Sequence, residues 1–148
     1  MKDAAARNLE IRITPRPAAN SLHEAAALLG IEPSGIVKTL VVKRSSGDFL
    51  FALVPGGRKI SWPKLRALVG VNKLQLPDAA LALAATGYER GTITPLGSTQ
   101  AWPVFADVTL QGQEVAMGAG EHGYSAFVDA DALFRAFDAT VADLTDPE

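Results

Sequence analysis

Two hydrophobic periods run through this chain, one of two residues and one of three to four, and they divide it into strands and helices. Residues 9–14 alternate well enough for a first strand, which Pro15 and Pro17 end. Ser21, Leu22, His23 and Glu24 have the spacing of a capping box, and the apolar run 25–29 behind them stops at Gly30, so a short helix is predicted there. Residues 36–44 and 49–54 are apolar and rich in β-branched side chains. Ser45-Ser46-Gly47-Asp48 between them reads as the loop of a hairpin. Pro55-Gly56-Gly57 turns the chain, and Ser61 caps a helix that runs to Val69 before Gly70. Residues 71–76 form another strand, and Asp78 caps an alanine-rich helix ending at Gly87.

The second half is more strand-like. Residues 102–107, 114–117 and 124–128 are strand candidates, Asp129 caps a helix through Phe137, and residues 140–144 return as a last short strand. Strands and helices mix without strict βαβ alternation. The expectation is an α+β or mixed α/β fold, with a mixed, largely antiparallel sheet and helices packed on it. No repeat, low-complexity tract or linker divides the 148 residues, so a single domain over 1–148 is expected.

Composition narrows the class. At 48% hydrophobic and 20% charged, the chain can bury a core, and disordered or fibrous classes are excluded. No apolar run approaches the roughly 18–20 residues of a membrane helix. The start, Met1 to Arg7, continues into Asn8-Leu9-Glu10 rather than an apolar stretch, so a cytoplasmic rather than secreted protein is expected. The absence of cysteine removes disulfides, thiolate nucleophiles and thiolate-bound metals. With His23 and His122 the only histidines, neither a metal nor another cofactor is expected. The formal charge of −2 hides a strong asymmetry: eight of the 14 basic residues lie between Lys38 and Lys73, where Asp48 is the only acid, whereas Arg90 and Arg135 alone oppose eleven acids after it. Such a segment either presents one positive face to a polyanion or is solvated charge that happens to segregate along the sequence.

Three segments could carry chemistry. In Ile36-Val37-Lys38-Thr39-Leu40-Val41-Val42, strand alternation puts Lys38 on the side of Ile36, Leu40 and Val42, an apolar face where an ammonium is costly. It is either a lysine snorkelling near a sheet edge or a cation at a pocket floor that meets a phosphate or a developing oxyanion. Thr39 points to the opposite face. The segment from Thr86 to Gly97 holds three glycines and a proline, which makes a shaped loop where a ligand could approach the backbone. It lacks the Gly-Lys-Ser/Thr of a phosphate-binding loop. Gly118-Ala119-Gly120-Glu121-His122-Gly123 has no helix after it at dinucleotide spacing, so a turn between strands is expected. His122 there is a surface residue or an acid–base group, and His23 falls in a helix. Asp107, at a strand end, would hold a loop or orient a pocket lysine. Trp62 and Trp102 read as packing residues.

Taken in order, these segments resemble the YbaK/prolyl-tRNA synthetase-associated family of aminoacyl-tRNA deacylases. The likeness rests on Val37-Lys38-Thr39-Leu40-Val41-Val42, on Val54-Pro55-Gly56, and on Gly87-Tyr88 followed by Gly91-Thr92-Ile93-Thr94-Pro95-Leu96-Gly97. It continues through residues 103–107, Gly118-Ala119-Gly120 and Gly123 to a terminal helix and strand near Ala142-Asp143, covering about residues 20–145. The resemblance implies a pocket for the 3′-terminal aminoacyl-adenosine of tRNA. It makes Lys38 and Gly91 the catalytic positions, with Lys38 contacting the terminal nucleotide or the ester. Thr39, Thr92, Ile93, Thr94, Pro95, Gly118, Gly120 and Ser125 become the substrate-binding positions, the 91–95 loop holding the aminoacyl group through its backbone.

An aminoacyl ester is already activated, so such a site need only position it, polarise its carbonyl and admit water or the substrate's own side chain. No Ser–His–Asp set is then required. The chain departs from the family pattern at Ile13-Thr14-Pro15-Arg16-Pro17, where many relatives carry an aromatic–acidic–His stretch. It departs again at Ser125, where some carry an acid. The implied function is trans-editing of mischarged tRNA, with Cys-, Ala- or Ser-tRNA(Pro) as substrates. The acceptor end of tRNA is the implied partner, and a synthetase a transient one. A non-catalytic tRNA- or RNA-binding domain and a small-molecule ester hydrolase are the alternatives.

Overall fold

Every α-helix in the computed structural model of the protein, which describes residues 9–89 and 91–148, starts at a side chain that meets an amide the helix itself leaves free. Ser21 accepts from the Glu24 amide at 3.1 Å ahead of α1 (Leu22–Leu29), and Ser61 from the Lys64 amide at 3.4 Å ahead of α2 (Trp62–Val69). Asp78 accepts from Leu81 at 2.8 Å ahead of α3 (Ala79–Thr86), and Asp129 from Ala132 at 2.9 Å ahead of α4 (Ala130–Phe137). The Glu24 carboxylate of the predicted capping box reaches the Asn20 amide, one residue before the cap. Gly30, Gly70 and Gly87 end the first three helices in the left-handed conformation. Asp138 does the same after α4 with φ 50°, where an aspartate tolerates it better than most residues.

The strands are β1 (Ile11–Pro15), β2 (Val37–Arg44), β3 (Phe49–Pro55), β4 (Arg58–Ile60), β5 (Leu74–Gln75), β6 (Val104–Asp107), β7 (Glu114–Gly118), β8 (Tyr124–Asp129), β9 (Thr140–Ala142) and β10 (Thr145–Pro147). The expected mixed sheet is present, with order β5-β2-β3-β6-β9: β2 is antiparallel to β3 and β5, while β3–β6 and β6–β9 are parallel. Two smaller antiparallel sheets, β1-β8-β7 and β10-β4, were not foreseen as separate sheets. The fold is therefore mixed α+β, as expected. The strand predicted at 71–76 shrinks to Leu74–Gln75, of which Leu74 alone is buried, and the one predicted at 140–144 ends at Ala142.

β3 is buried along its whole length and on both faces. Phe49, Phe51 and Leu53 join Val37 and Val41 in the larger core, which the β1-β8-β7 sheet, α3 and α4 close. Leu50 and Ala52 join Val42, Leu65 of α2 and Leu144 in the smaller one. Full burial of each leucine or phenylalanine contributes about 1.5–3 kcal/mol.

Asp107 locks the end of β6. Its buried carboxylate accepts from the Leu144 amide at 3.1 Å, from the Thr109 amide at 3.2 Å and from the Thr109 hydroxyl. It thus holds a loop, and among the described residues no lysine is its partner. Burial pushes the carboxyl up, but the hydrogen bonds from Thr109, Leu144 and Thr145 together outweigh it and hold the group below its ordinary value. A carboxylate with a depressed folded pKa stabilises fully above its unfolded value of about 3.9, and the contribution fades as pH falls through the folded value. Asp107→Asn is expected to cost about 2–3 kcal/mol at pH 7, because donors built for a carboxylate then meet an amide. Urea titrations at pH 7 and pH 3 check this: the gap between variant and wild type should narrow at the lower pH.

Candidate active site

A threonine turns the chain from α3 into the glycine-rich loop. The Thr86 hydroxyl donates to the Ala82 carbonyl at 2.8 Å and accepts from the Tyr88 amide at 3.1 Å, while Gly87 takes φ 82°. The far end of the loop is pinned to the same helix end. The Thr99 amide donates to the Thr86 carbonyl at 3.0 Å, and the Thr99 hydroxyl and Trp102 Nε1 donate to the Ala85 carbonyl at 3.2 and 2.9 Å. The Trp102 ring packs edge-on against Phe49, with centroids 5.3 Å apart. Inside the loop, Thr92 donates to the Glu89 carbonyl through its amide at 3.0 Å and its hydroxyl at 2.7 Å. The Tyr88 hydroxyl donates to the Leu96 carbonyl, and the Leu96 amide to the Thr94 hydroxyl at 3.3 Å. Thr92, Thr94, Pro95 and Leu96 are buried. Among the described residues, the amides of Gly91, Ile93 and Thr94 meet no acceptor.

This loop is clamped onto the turn between β7 and β8. The Gly120 amide donates to the Thr92 carbonyl at 3.0 Å. At Gly118 a β-carbon would stand 2.6 Å from the Ile93 carbonyl oxygen and 2.8 Å from that of Thr92. Main chain therefore lies against main chain where no side chain fits. At Gly120, with φ 86°, a β-carbon would meet the Tyr88 ring at 2.7 Å. The predicted turn between strands thus serves as the platform of the loop. His122 in that turn is exposed and pairs with Glu89 at 3.1 Å, a surface tie between the two loops rather than a buried acid–base group. Arg90 lies outside the described residues.

The remaining predicted positions sort by their strands. Ser125 on β8 is paired in register with Gly118 of β7 and Thr14 of β1, and its buried hydroxyl accepts from Arg16 Nε at 3.3 Å. Arg16 is fixed by its own amide, which donates to the Gly123 carbonyl at 2.8 Å. It is a neighbour of the site that sequence reasoning did not select. Lys38 and Thr39 point to opposite faces of β2, as alternation requires. Thr39 turns into the larger core beside Val37 and Val41, and its buried hydroxyl has no hydrogen-bond partner. Lys38 is exposed rather than set into a pocket floor, and its ammonium has no partner among the described residues. A parallel bridge between Ile36 and Ala116 brings the start of β2 to β7. Two residues beyond it on each segment stand Lys38 and Gly118. The start of β2, the 91–95 loop and the β7–β8 turn therefore meet at one end of the molecule. His23 is exposed on α1, and a shallow cleft of about 550 Å³ lined by Gln111, Gly112, Asp131, Phe134, Arg135 and Val141 contains none of the predicted site residues.

The pattern of the aminoacyl-tRNA editing domain matches residues 16–136, which takes in β2, the loop and its platform, and the chain belongs to that family. It is 32% identical over 114 residues to a proline–tRNA ligase of Pelobacter propionicus, an alignment covering 76% of this chain and 20% of that one. The chain spans about a fifth of the length of such ligases. It is 28% identical over 129 residues to EbsC of Enterococcus faecalis, named as a candidate Cys-tRNA(Pro)/Cys-tRNA(Cys) deacylase, covering 86% of this chain and 79% of that one. A solved structure described as a candidate trans-editing enzyme for prolyl-tRNA synthetase superimposes with a TM-score of 0.90 at 27% identity, over 98% of this chain and 93% of that one.

Two substitutions test the geometry. Gly118→Ala should cost about 1–3 kcal/mol by overpacking and speed amide hydrogen exchange across residues 92–97 while leaving β2 and β3 protected. Unchanged exchange would show that the loop is not clamped there. Thr39→Val, which removes a buried hydroxyl without a partner, should stabilise the protein by about 1 kcal/mol in urea titration.

Proposed function

We propose that this protein is a trans-editing deacylase that hydrolyses the ester of mischarged aminoacyl-tRNA, with Cys-, Ala- or Ser-tRNA(Pro) as substrates. The observation that supports this reading is the bridge from Ile36, two residues before Lys38, to Ala116, two residues before the Gly118 that seats the 91–95 loop, in a chain of the editing family. The similarity to EbsC and to proline–tRNA ligases favours tRNA(Pro).

In the proposed reaction the exposed Lys38 ammonium holds a phosphate of the terminal nucleotide or the ester itself. The amides of Gly91, Ile93 and Thr94, which meet no acceptor among the described residues, polarise the ester carbonyl, and Thr92 and Pro95 keep the loop in shape. Rigid main-chain donors suit this task because they need no reorganisation as charge develops. In this reading the unpartnered Thr39 hydroxyl and the Ser125–Arg16 pair are the groups that read the amino-acid side chain. Water adds to the carbonyl carbon and the acyl C–O bond breaks. One proton of the water passes to the departing ribose oxygen, and the other goes to solvent as the amino acid leaves as its carboxylate. The cytoplasm is the proposed site of action, with tRNA and transiently a synthetase as partners. Among the described residues no helix is long and apolar enough to cross a membrane.

The test is deacylation of a panel of mischarged tRNAs that includes Cys-, Ala- and Ser-tRNA(Pro). At least one should be cleared well above the buffer rate, and Lys38→Ala should lower kcat/KM by about a hundredfold or more, the scale of losing one charge-stabilising donor. Binding of tRNA without release of any amino acid would replace the enzyme by a non-catalytic tRNA-binding domain. Equal activity on free aminoacyl esters would point to a small-molecule hydrolase.

A further inference from the structure

At the other end of β2, away from Lys38, lies a second polar feature. The hairpin turn is closed by the Arg44 amide donating to the Asp48 carbonyl at 2.8 Å and the Gly47 amide donating to the Arg44 carbonyl at 3.0 Å. β5 runs antiparallel alongside, pairing Lys43 with Gln75 and Arg44 with Leu74. Leu74 is buried in the smaller core, and that burial fixes Lys73 beside the turn. Together Lys43, Arg44, Ser45, Lys73 and Gln75 line a cleft of about 180 Å³.

This cleft contains three cations, a hydroxyl and an amide, but no carboxylate and no aromatic ring. Among the described residues none of the three cations has a carboxylate partner. Arg44 Nε is buried without a hydrogen-bond acceptor. A guanidinium N–H shut away from water and left unpaired is costly, and it is repaid when an anionic oxygen arrives. Asp48, the nearest acid in sequence, is exposed and accepts from Ser46. The absence of a ring means that nothing stacks a base, so the chemistry suits a phosphate held for its charge and not a nucleotide read for its identity.

We infer that this cleft binds a backbone phosphate of the RNA whose acylated 3′ end lies at Lys38. The inference rests on the proposed function for the choice of RNA. Arg44 lies six positions along the strand from Lys38, about 20 Å at strand rise, so the two cationic points mark a line along β2 rather than a single pocket. Occupied together, they orient the acceptor arm as well as attract it. The contact is blind to sequence, since only phosphate oxygens are offered to it.

The experiment measures affinity of the full chain for unacylated tRNA over a series of salt concentrations, so that hydrolysis plays no part. Arg44→Gln and Lys73→Gln should each weaken binding about tenfold at low salt and flatten the slope of log affinity against log salt by about one per lost phosphate contact. The loss should be equal for tRNAs of unrelated sequence. Lys73 is exposed, so its variant reports even if the half-buried Arg44 variant is unstable. Wild-type affinity and slope in Lys73→Gln would overturn the inference. A second arm titrates inorganic phosphate and follows the amide NMR signals of residues 43–45 and 73–75. Saturation there, with tRNA binding unchanged in the variants, would make the cleft a free-anion site and overturn the RNA assignment. A protein that binds tRNA through this cleft but releases no amino acid keeps this inference and loses the deacylase reading. An active enzyme whose variants bind normally does the reverse.

Discussion

The pairing of β2 with β3, in register from Val37 opposite Pro55 to Lys43 opposite Phe49, is the constraint from which the rest of the molecule is hung. β3 has no solvent face, so its alternate side chains enter two different cores and couple them. A slip of one residue would exchange the faces of β2. Thr39 would leave the larger core, and Lys38 would be driven toward it. Burying an unpaired ammonium costs several kcal/mol, far more than the slip could recover elsewhere. The apolar run that makes β2 a strand therefore also fixes which side of it carries the cation. The β6 and β9 strands, added in parallel to the far edge of β3, extend this sheet without disturbing that register.

On that frame the end that carries the 91–95 loop is held by backbone more than by side chains. The 91–95 loop lies on β7 at a distance that Gly118 alone permits, and Tyr88 fills the space over Gly120. Loops closed at both ends onto one helix terminus lose little further entropy when a substrate binds, which is the benefit of preorganisation. The same rigidity suits the proposed deacylation, which needs no paired nucleophile and base. The bond is already activated, and fixed dipoles supply what remains. A buried threonine hydroxyl without a partner at the same end fits a site whose polar groups are arranged for a substrate and not for stability alone.

Much of this architecture was legible in the sequence because its signals are local. Ser21, Ser61, Asp78 and Asp129 cap helices through amides three residues away, and the hairpin declares itself in one stretch. What was not legible depends on partners distant in sequence. β4 and β10 are three residues each, and Arg58-Lys59-Ile60 pairs with Thr145-Asp146-Pro147 across more than eighty positions. The order of the glycine-rich segments suggested the site, but not that Gly118 is where two main chains touch. Whether Lys38 snorkels or sits at a pocket floor stays open in the sequence because alternation gives a residue's face and not its depth. In the fold it is exposed, one residue into β2. Arg16 escaped notice since nothing in Pro15-Arg16-Pro17 foretells that β1 lies beside β8.

The charge pattern shows how folding revises a sequence argument. The run from Lys38 to Lys73 reads as one positive block, yet the acidic carboxyl-terminal segment folds back on part of it. Lys64 pairs with Asp143 and Asp146, both at 3.0 Å, and its pKa is raised by the hydrogen bonds to Asp146 and then Asp143. Arg58 donates to the Thr145 hydroxyl at 2.6 Å. The β4–β10 pairing thus absorbs cations that the linear sequence groups with the rest of the positive block. Lys38 at one end of β2 and Lys43, Arg44 and Lys73 at the other have no such counter-charge among the described residues. Lys38 and Lys73 are exposed, and exposed charges more than a Debye length of about 8 Å apart hardly feel one another at physiological salt, so in the proposed complex the two sets serve as separate anchors and not as a diffuse field. Two anchors define a direction where one would define only a place. A ligand that must present a single ester to a single loop is better served by a direction.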